Sequence, residues 1–472
     1  MLEGPSIYTL PIFRNTQVAE EPGSRRIPVD HMVKGERVKY WRELRASKLI
    51  KWETFPKFPL VLNADGSPWA PACLWLVDRA RANPLKASSL NPLAQGLRAY
   101  KRFLDEVGLD WDDFSAVDKY LRPTYLYKTH LQDLINSGAI KRSTASGRMQ
   151  TVVSFYRFLK ETERMAFRPQ NAPWVDLTVG LQYRDTQGFK QVKVVQSTDL
   201  SVKVPKRDYA WDRGIHDGGN LVPLSQNEQK GLIHALKKLG NREYELMHLV
   251  ALLTGARIQT VLTLRWGDFA MPPSQVNQWP FKLRCGPGTG IDTKNNVTDV
   301  YLSVQRDLYE WLHTYAVSEK AMARRVKSDL KESSENYLFL SNRGGPHYES
   351  KDDLNVARNS DEPLKRSSPT GQNLRSFMTD YLIPEVRKTI PNFSFKFHDL
   401  RASFGVNWVD AVLQDQDTHQ RYNWARDQLR KLLWHANAIT TDRYLQYRQH
   451  MHQLEQADAD WNRHLHELIR SA

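Results

Sequence analysis

The chain predicts a mainly α-helical protein with a small antiparallel β component, an α+β fold, on three observations. Several stretches place apolar residues at helical spacing, the clearest being Leu93, Leu97, Tyr100, Leu104 and Val107. Two short β-prone segments, 279–284 and 297–304, flank a Gly/Pro-rich turn in the C-terminal half. Composition is that of an ordinary globular protein, 40% hydrophobic and 25% charged, and 472 residues suffice for roughly two to four domains.

Taken in order, residues 1–80 form an N-terminal region of unclear role, with scattered prolines and tryptophans. One basic helix is expected there, at 34–51 (KGERVKYWRELRASKLIK), as a solvated face or an extra nucleic-acid contact. Residues 81–167 read as a basic helical domain. Its first helix carries the Leu93–Val107 stripe, a second spans 125–135 and stops at Asn136-Ser-Gly138, and a third follows Ser143-Thr144. Met149, Val152, Val153, Tyr156 and Leu159 make the third helix's apolar stripe, while Arg142, Arg148, Arg157 and Lys160 lie off it. Periodicity fails over 168–222, an extended connector with a strand pair expected from the β-prone runs 191–195 and 200–204.

Residues 223–472 form the last domain. Ser225-x-x-Glu228 is a capping box opening a helix. The next helix carries Leu246, Leu249, Val250 and Leu253 on one face and ends at Thr254-Gly255. After the β-prone pair, helices resume at Leu308, a strand-like run covers 337–340, and a polar loop fills 347–370. A helix follows from Gln372 to about Lys388. Phe393, Phe395 and Phe397 then alternate as a buried extended segment would, before a helix whose core face continues with Phe404 and Trp408. Leu429, Leu432 and Leu433 pack a further helix. Thr440 or Thr441 is expected to cap the next one, placing Tyr444 in its first turn. Leu454, Trp461, Leu465 and Leu468 give the tail an apolar stripe, suited to docking on a second copy or to folding back. There is no internal repeat and no low-complexity segment.

Lys and Arg outnumber Asp and Glu by 67 to 53, a net charge of +14 that favours a polyanionic partner. Two cysteines, Cys73 and Cys285, make no disulfide framework, and no Cys/His spacing suggests zinc. No signal peptide and no membrane-spanning run is read, so a soluble cytoplasmic protein is expected.

Six residues in the last domain suit the handling of one phosphodiester. Arg257, at a helix start after a glycine turn, presents a fork that holds two phosphate oxygens and stays charged at any working pH. His398 and Arg401 share a helix face and suit a grip from the other side. His435 and Tyr444 frame the polar hinge. A phenol of pKa about 10 serves as nucleophile only where cations favour the phenolate and the transition state, as two arginines and a histidine would. Tyr447, three residues on, is the competing tyrosine. Lys294, in a turn before the 297–304 segment, is placed to protonate a leaving oxygen.

The stretches TGARIQTVLTLRWGDF at 254–269, FHDLRASF at 397–404 and LLWHANAITTDRY at 432–444 resemble the tyrosine recombinase (phage integrase-like) superfamily. TKNNVTDVYLS at 293–303 matches more loosely, YLFLSNRGGP at 337–346 resembles a segment between the family's motifs, and RMQTVVSFYRFL at 148–159 resembles the end of its SAM-like core-binding domain. The resemblance covers 225–450 well and about 85–165 weakly. It implies a helical core-binding domain followed by a catalytic domain on double-stranded DNA. Arg257, His398, Arg401 and His435 would surround the scissile phosphate, Lys294 would be the general acid, and Tyr444 would form a 3′-phosphotyrosyl bond. That bond conserves the energy of the broken phosphodiester, so no ATP, metal or other cofactor is implied. It further implies a homotetramer on paired sites, with partner recombinases or accessory proteins as further partners, and a role as an integrase or resolvase of mobile DNA. A type IB topoisomerase, a telomere resolvase and a non-catalytic DNA-binding protein of the same fold are the alternatives. Three departures bear on activity. Thr260 stands where the family usually has a carboxylate, Trp434 where it usually has glycine, and the turn around Lys294 is sparse in basic residues.

Overall fold

Helices dominate the chain, and each described strand belongs to a two-stranded antiparallel pair, as the expected fold class requires. A computed structural model describes residues 4–15, 26–33, 36–43, 53–82, 90–162, 167–184, 190–202, 214–358, 369–413 and 419–471. Contacts divide the chain into two units, Met1–Lys206 with Ala357–Ser367, and Arg207–Val356 with Ser368–Ala472.

In the first unit, β1 (Ser6–Asn15) is followed by β2 (Arg26–Val33), β3 (Glu36–Glu43) and β4 (Glu53–Leu62). β1 pairs with β4 and β2 with β3. The helix expected at 34–51 is therefore corrected: Glu36–Glu43 is a strand, and 34–35 and 44–51 lie outside the described residues. Val38 and Tyr40 alternate at the strand period, with Val29 and His31 opposite Tyr40 and Val38 in the register. Four helices follow: α1 (Ala70–Ala82), α2 (Leu90–Val107), α3 (Pro123–Asn136) and α4 (Arg142–Glu161). The expected stripes form the core except at the two ends of the first, where Leu93 is half-buried and Val107 exposed. Leu97, Tyr100 and Leu104 of α2 pack with Met149, Val152, Tyr156 and Leu159 of α4, all buried, and Phe55, Phe58 and Val61 of β4 join the same cluster. Tyr100 and Tyr156 hydroxyls meet at 2.8 Å, satisfying two phenols that burial would otherwise leave dry.

β5 (Asp176–Arg184) pairs with β6 (Lys190–Thr198). The strand expected at 191–195 is present, but its partner lies upstream rather than at 200–204, whose last two residues are outside the described set. Asp199 breaks the run. Its carboxylate accepts from Val175 N–H, the Tyr125 hydroxyl and Lys119 Nζ, fixing a turn that sends Leu200 into the core.

The second unit opens with a tight hairpin, β7 (Ile215–His216) and β8 (Asn220–Leu221). Its helices α5 (Gln226–Leu239), α6 (Arg242–Thr254) and α7 (Ile258–Leu262) follow, and the Ser225–Glu228 capping box forms as expected. β9 (Phe281–Cys285) pairs with β10 (Val300–Val304). α8 (Arg306–Ala316) and α9 (Glu319–Val326) come next, then α10 (Lys351–Arg358), a helix inside the stretch expected to be a polar loop. Asp353 ties α10 to the buried Arg265 at 3.0 Å, and so tertiary contact supports a helix too short to hold alone. The 337–340 run joins the fold through isolated bridges at its two ends, Arg265 to Tyr337 and Leu340 to Pro346. α11 (Gln372–Phe377) continues through a π-turn at Met378–Leu382 into α12 (Ile383–Arg387). α13 (Asp399–Leu413), α14 (His419–Leu432) and α15 (Ala438–Ser471) complete the unit. Phe393, Phe395 and Phe397 are all buried, as their alternation predicts, whereas Leu253 on α6 is exposed. In the tail of α15, Trp461, Leu468 and Ile469 are exposed. Among the described residues no helix is long and apolar enough to cross a membrane.

Candidate functional site

The TGAR turn comes first. α6 ends at Gly255, whose φ of +70° a side chain would strain, and an added Cβ would meet Leu433 and Phe404 at 2.6 Å. This turn makes Arg257 the N-cap residue of α7, with Val261 and Leu262 buried on the far side. On α13 the side chain of Arg401 is almost wholly buried. It donates from Nη1 to Gly255 O at 2.7 Å and from Nη2 to Leu433 O. One guanidinium thereby fastens three segments that are distant in sequence: the glycine turn, α13 and the hinge after α14. Its Nε donates to Asp217.

Asp217 is the residue on which the site converges. Its Oδ2 accepts from Arg401 Nε at 2.7 Å, His435 Nε2 at 3.0 Å and the Tyr444 hydroxyl at 3.0 Å. Its Oδ1 accepts from Arg257 Nη2 at 3.2 Å, and its main-chain carbonyl accepts from His398 Nε2 at 3.2 Å. Five of the six residues expected from the sequence, Arg257, His398, Arg401, His435 and Tyr444, thus meet on one residue. The sixth, Lys294, sits exposed in a 3₁₀ turn (Lys294–Asn296), and a Cβ added to Gly218, next to Asp217, would lie 2.6 Å from its Nζ. Tyr447 packs half-buried beside the same cluster, and Tyr444 donates to Asp217.

The hinge is built differently from expectation. Asn437, not Thr440 or Thr441, caps α15: its side chain accepts from Ile439 N–H at 3.0 Å, placing Tyr444 in the second turn. Thr441 faces inward instead and bonds His435 Nδ1 at 2.9 Å. With Nε2–H given to a carboxylate, a neutral His435 accepts the Thr441 hydroxyl at Nδ1, which fixes both tautomer and ring plane. Trp434 lies at φ +53°, in the left-handed region that glycine adopts without strain. Its Nε1–H donates to Tyr301 O at 3.1 Å, tying the hinge to β10. Thr260 is buried and donates to Asp292 O at 2.7 Å, and Thr263 Oγ1 accepts from Asp292 N–H at 2.8 Å. Two threonines hold the base of the Lys294 turn from the Arg257 helix.

Burial raises the Asp217 carboxyl, but the His435 hydrogen bond and the Arg401 and Arg257 guanidiniums outweigh it and hold the group well below the usual carboxylate range. Burial lowers His398 to about 4, with Arg401 adding to the effect, and burial likewise lowers His435 against the pull of Asp217. Burial, then Arg401, brings Arg257 down to about 10, still charged at neutral pH. Burial raises the Tyr444 phenol well above its ordinary value, and Asp217 raises it further against the two arginines. The resting centre therefore holds two cations, two neutral imidazoles and one anion, with a protonated tyrosine donating to that anion. Arg257 Nε is buried with no hydrogen-bond partner among the described residues.

Asp217 lay inside the stretch expected to be an extended connector and was not among the residues expected in the site. Its signal is the Asp-Gly-Gly turn between Ile215 and Leu221, a tight-hairpin signature. Thr441 and Gly405, whose missing Cβ makes room for the Tyr444 ring, carry no such signal.

No family model and no curated protein matches the chain. Among solved structures it is similar to the integrase of the Tn1549 transposon, determined in complex with transposon right-end DNA. The TM-score is 0.43 and the identity 13%, over 82% of this chain and 99% of that one. A likeness of that size carries no functional argument.

Proposed function

We propose that the second unit is a DNA strand-transfer centre of the tyrosine recombinase type, serving the integration or resolution of mobile DNA. The observation that carries the reading is the convergence of Arg257, Arg401, His435 and Tyr444 on the two oxygens of one carboxylate. A phosphodiester presents two non-bridging oxygens and one negative charge, as that carboxylate does, so the same donors suit it.

In the proposed reaction the Tyr444 oxygen bonds to phosphorus as the bond to the 5′-oxygen breaks. The phenol passes its proton to the neutral imidazole of His398, and Lys294 supplies one to the departing 5′-oxygen. The pentavalent transition state carries one more negative charge than the diester. Two fixed guanidiniums therefore stabilise it more than the ground state, which is what accelerates a reaction. A 5′-hydroxyl from another strand reverses the step, and no external energy source enters. Double-stranded DNA is the proposed partner. In the first unit a groove lined by Arg79, Arg148 and Arg157, with Ser143 and Thr144, suits its phosphates. The exposed Trp461, Leu468 and Ile469 support docking of the tail on a second copy, as a tetramer on paired sites requires.

The test is covalent capture. Nicked duplexes are incubated without added metal and resolved in SDS. Wild type should leave a protease-sensitive adduct on a 3′ end, and Tyr444→Phe should leave none while still binding. An adduct lost in Tyr447→Phe but kept in Tyr444→Phe would reverse the assignment. The complete burial of Tyr444 favours a second reading, a non-catalytic DNA-binding protein of the same architecture. Salt-sensitive binding without any adduct would select it.

A further inference from the structure

We propose that Asp217 is a built-in competitor for the phosphate pocket: its hairpin seats a carboxylate where the scissile phosphate would bind and must withdraw it before DNA can react. The inference rests on the strand-transfer reading for what the pocket binds, and goes beyond it in naming what fills the pocket at rest.

Burial is the first support. Tyr444 is 0% exposed, Arg401 1% and Asp217 3%. A nucleophile without accessible surface cannot meet an external phosphodiester, so this arrangement is a closed state. Charge is the second. Exchanging a carboxylate for a phosphodiester swaps one negative charge for another, so the buried Arg401 and the largely buried Arg257 never lose their counterion, and the exchange avoids the heavy cost of an uncompensated buried charge. Connection is the third. The carboxylate sits at the tip of β7–β8, followed by Gly218 at φ +72° and Gly219, residues that let the tip change conformation without side-chain hindrance. Ile215 and Leu221 are buried at the hairpin base, and Val222 N–H donates to Asp399 Oδ1 at 3.1 Å. The base can stay anchored while the tip swings. Two cations lie against the tip: Lys294 Nζ would be 2.6 Å from a Cβ added to Gly218, and Arg443 donates to His216 O at 2.7 Å. Phosphates that draw these two cations away would loosen it.

The experiment uses the full chain as wild type, Asp217→Asn and Asp217→Asn with Arg401→Ala. Inorganic phosphate is titrated calorimetrically, and adducts are counted on a nicked duplex pool of random sequence. Asp217→Asn should bind phosphate at least about tenfold more tightly than wild type, the factor worth about 1.4 kcal/mol. Adding Arg401→Ala should remove the gain, and adduct yield should rise in Asp217→Asn. Affinity no higher than wild type, with fewer adducts, would overturn the proposal while leaving the strand-transfer reading intact. Tighter phosphate binding with no adduct in any protein would uphold the plug and sink the strand-transfer reading. Should Asp217→Asn fail to fold, hydrogen exchange on wild type decides. Concentrated phosphate, against chloride at matched ionic strength, should deprotect the Asp217 amide, which donates to Gly219 O at 3.0 Å, and leave α6 unchanged. Unchanged protection at Asp217 would refute the plug.

Discussion

Gly405→Ala separates the placing of the proposed nucleophile, Tyr444, from the stability of the fold. Gly405 lies in α13 facing the Tyr444 ring, and an added Cβ would sit 2.5 Å from Cδ1 and Cε1. Ordinary contact begins near 3.4 Å, so the ring must retreat by roughly 0.9 Å or α13 must shift. Overpacking of this kind costs about 1–3 kcal/mol. Replacing a helical glycine by alanine returns about 1 kcal/mol through propensity. The net cost is about 0–2 kcal/mol, too little to unfold the unit. Chemistry is less forgiving, because a misplacement of about 1 Å costs on the order of 100-fold in rate. The variant should therefore keep a cooperative urea transition within about 2 kcal/mol of wild type and lose about two orders of magnitude in the rate of adduct formation on nicked duplex. Adduct formation within about threefold of wild type would show that the ring position does not matter at that precision, and would refute the reasoning from contact geometry.

Further outcomes follow from the same geometry. Thr260→Val removes the donor from the buried Asp292 carbonyl and should cost about 1–3 kcal/mol and slow cleavage, whereas Thr260→Ser should retain both; equal behaviour of the two would show that the hydroxyl is idle. Burial holds His248, His347 and His398 at pKa values of about 4, below the ordinary 6.5. Unfolded chains take up those protons first, so stability is complete above about pH 6.5 and falls as pH drops toward about 4, by about 1.4 kcal/mol per pH unit for each histidine. Urea titrations between neutral pH and pH 4 test this, and a flat profile would contradict it. EDTA should leave adduct formation unchanged, since the proposed chemistry draws on guanidinium, imidazole and ammonium groups alone; a strict Mg²⁺ requirement would indicate a nuclease.

The helices were legible where one face repeats. Leu97, Tyr100 and Leu104, or Met149, Val152 and Leu159, announce a helix because burial follows the 3.6 period, and each of these is buried. Residues 36–43 were misread because Val38 and Tyr40 fit a strand as well as a basic helix, and strand pairing decides such cases. The hinge was misread at its cap. Asn437 and two threonines all suit an N-cap, and the choice fell to Asn437 because Thr441 is needed against His435. The short helix at 351–358 is held by Asp353 on Arg265, a contact 88 residues apart that local pattern does not reveal.

The order of residues alone names which side chains could handle a phosphate and on which elements they sit: Arg257 after a glycine turn, His398 and Arg401 one helical turn apart, His435 and Tyr444 across a hinge. Those are local facts, fixed by spacing and turn chemistry. That they share one centre is a matter of tertiary packing, because Arg401 joins the Gly255 and Leu433 carbonyls from segments 146 and 32 residues away. That packing alone decided that the centre is filled. Asp217 reaches it from 184 residues before Arg401, and a buried and a largely buried guanidinium require a counterion that no local pattern could have named.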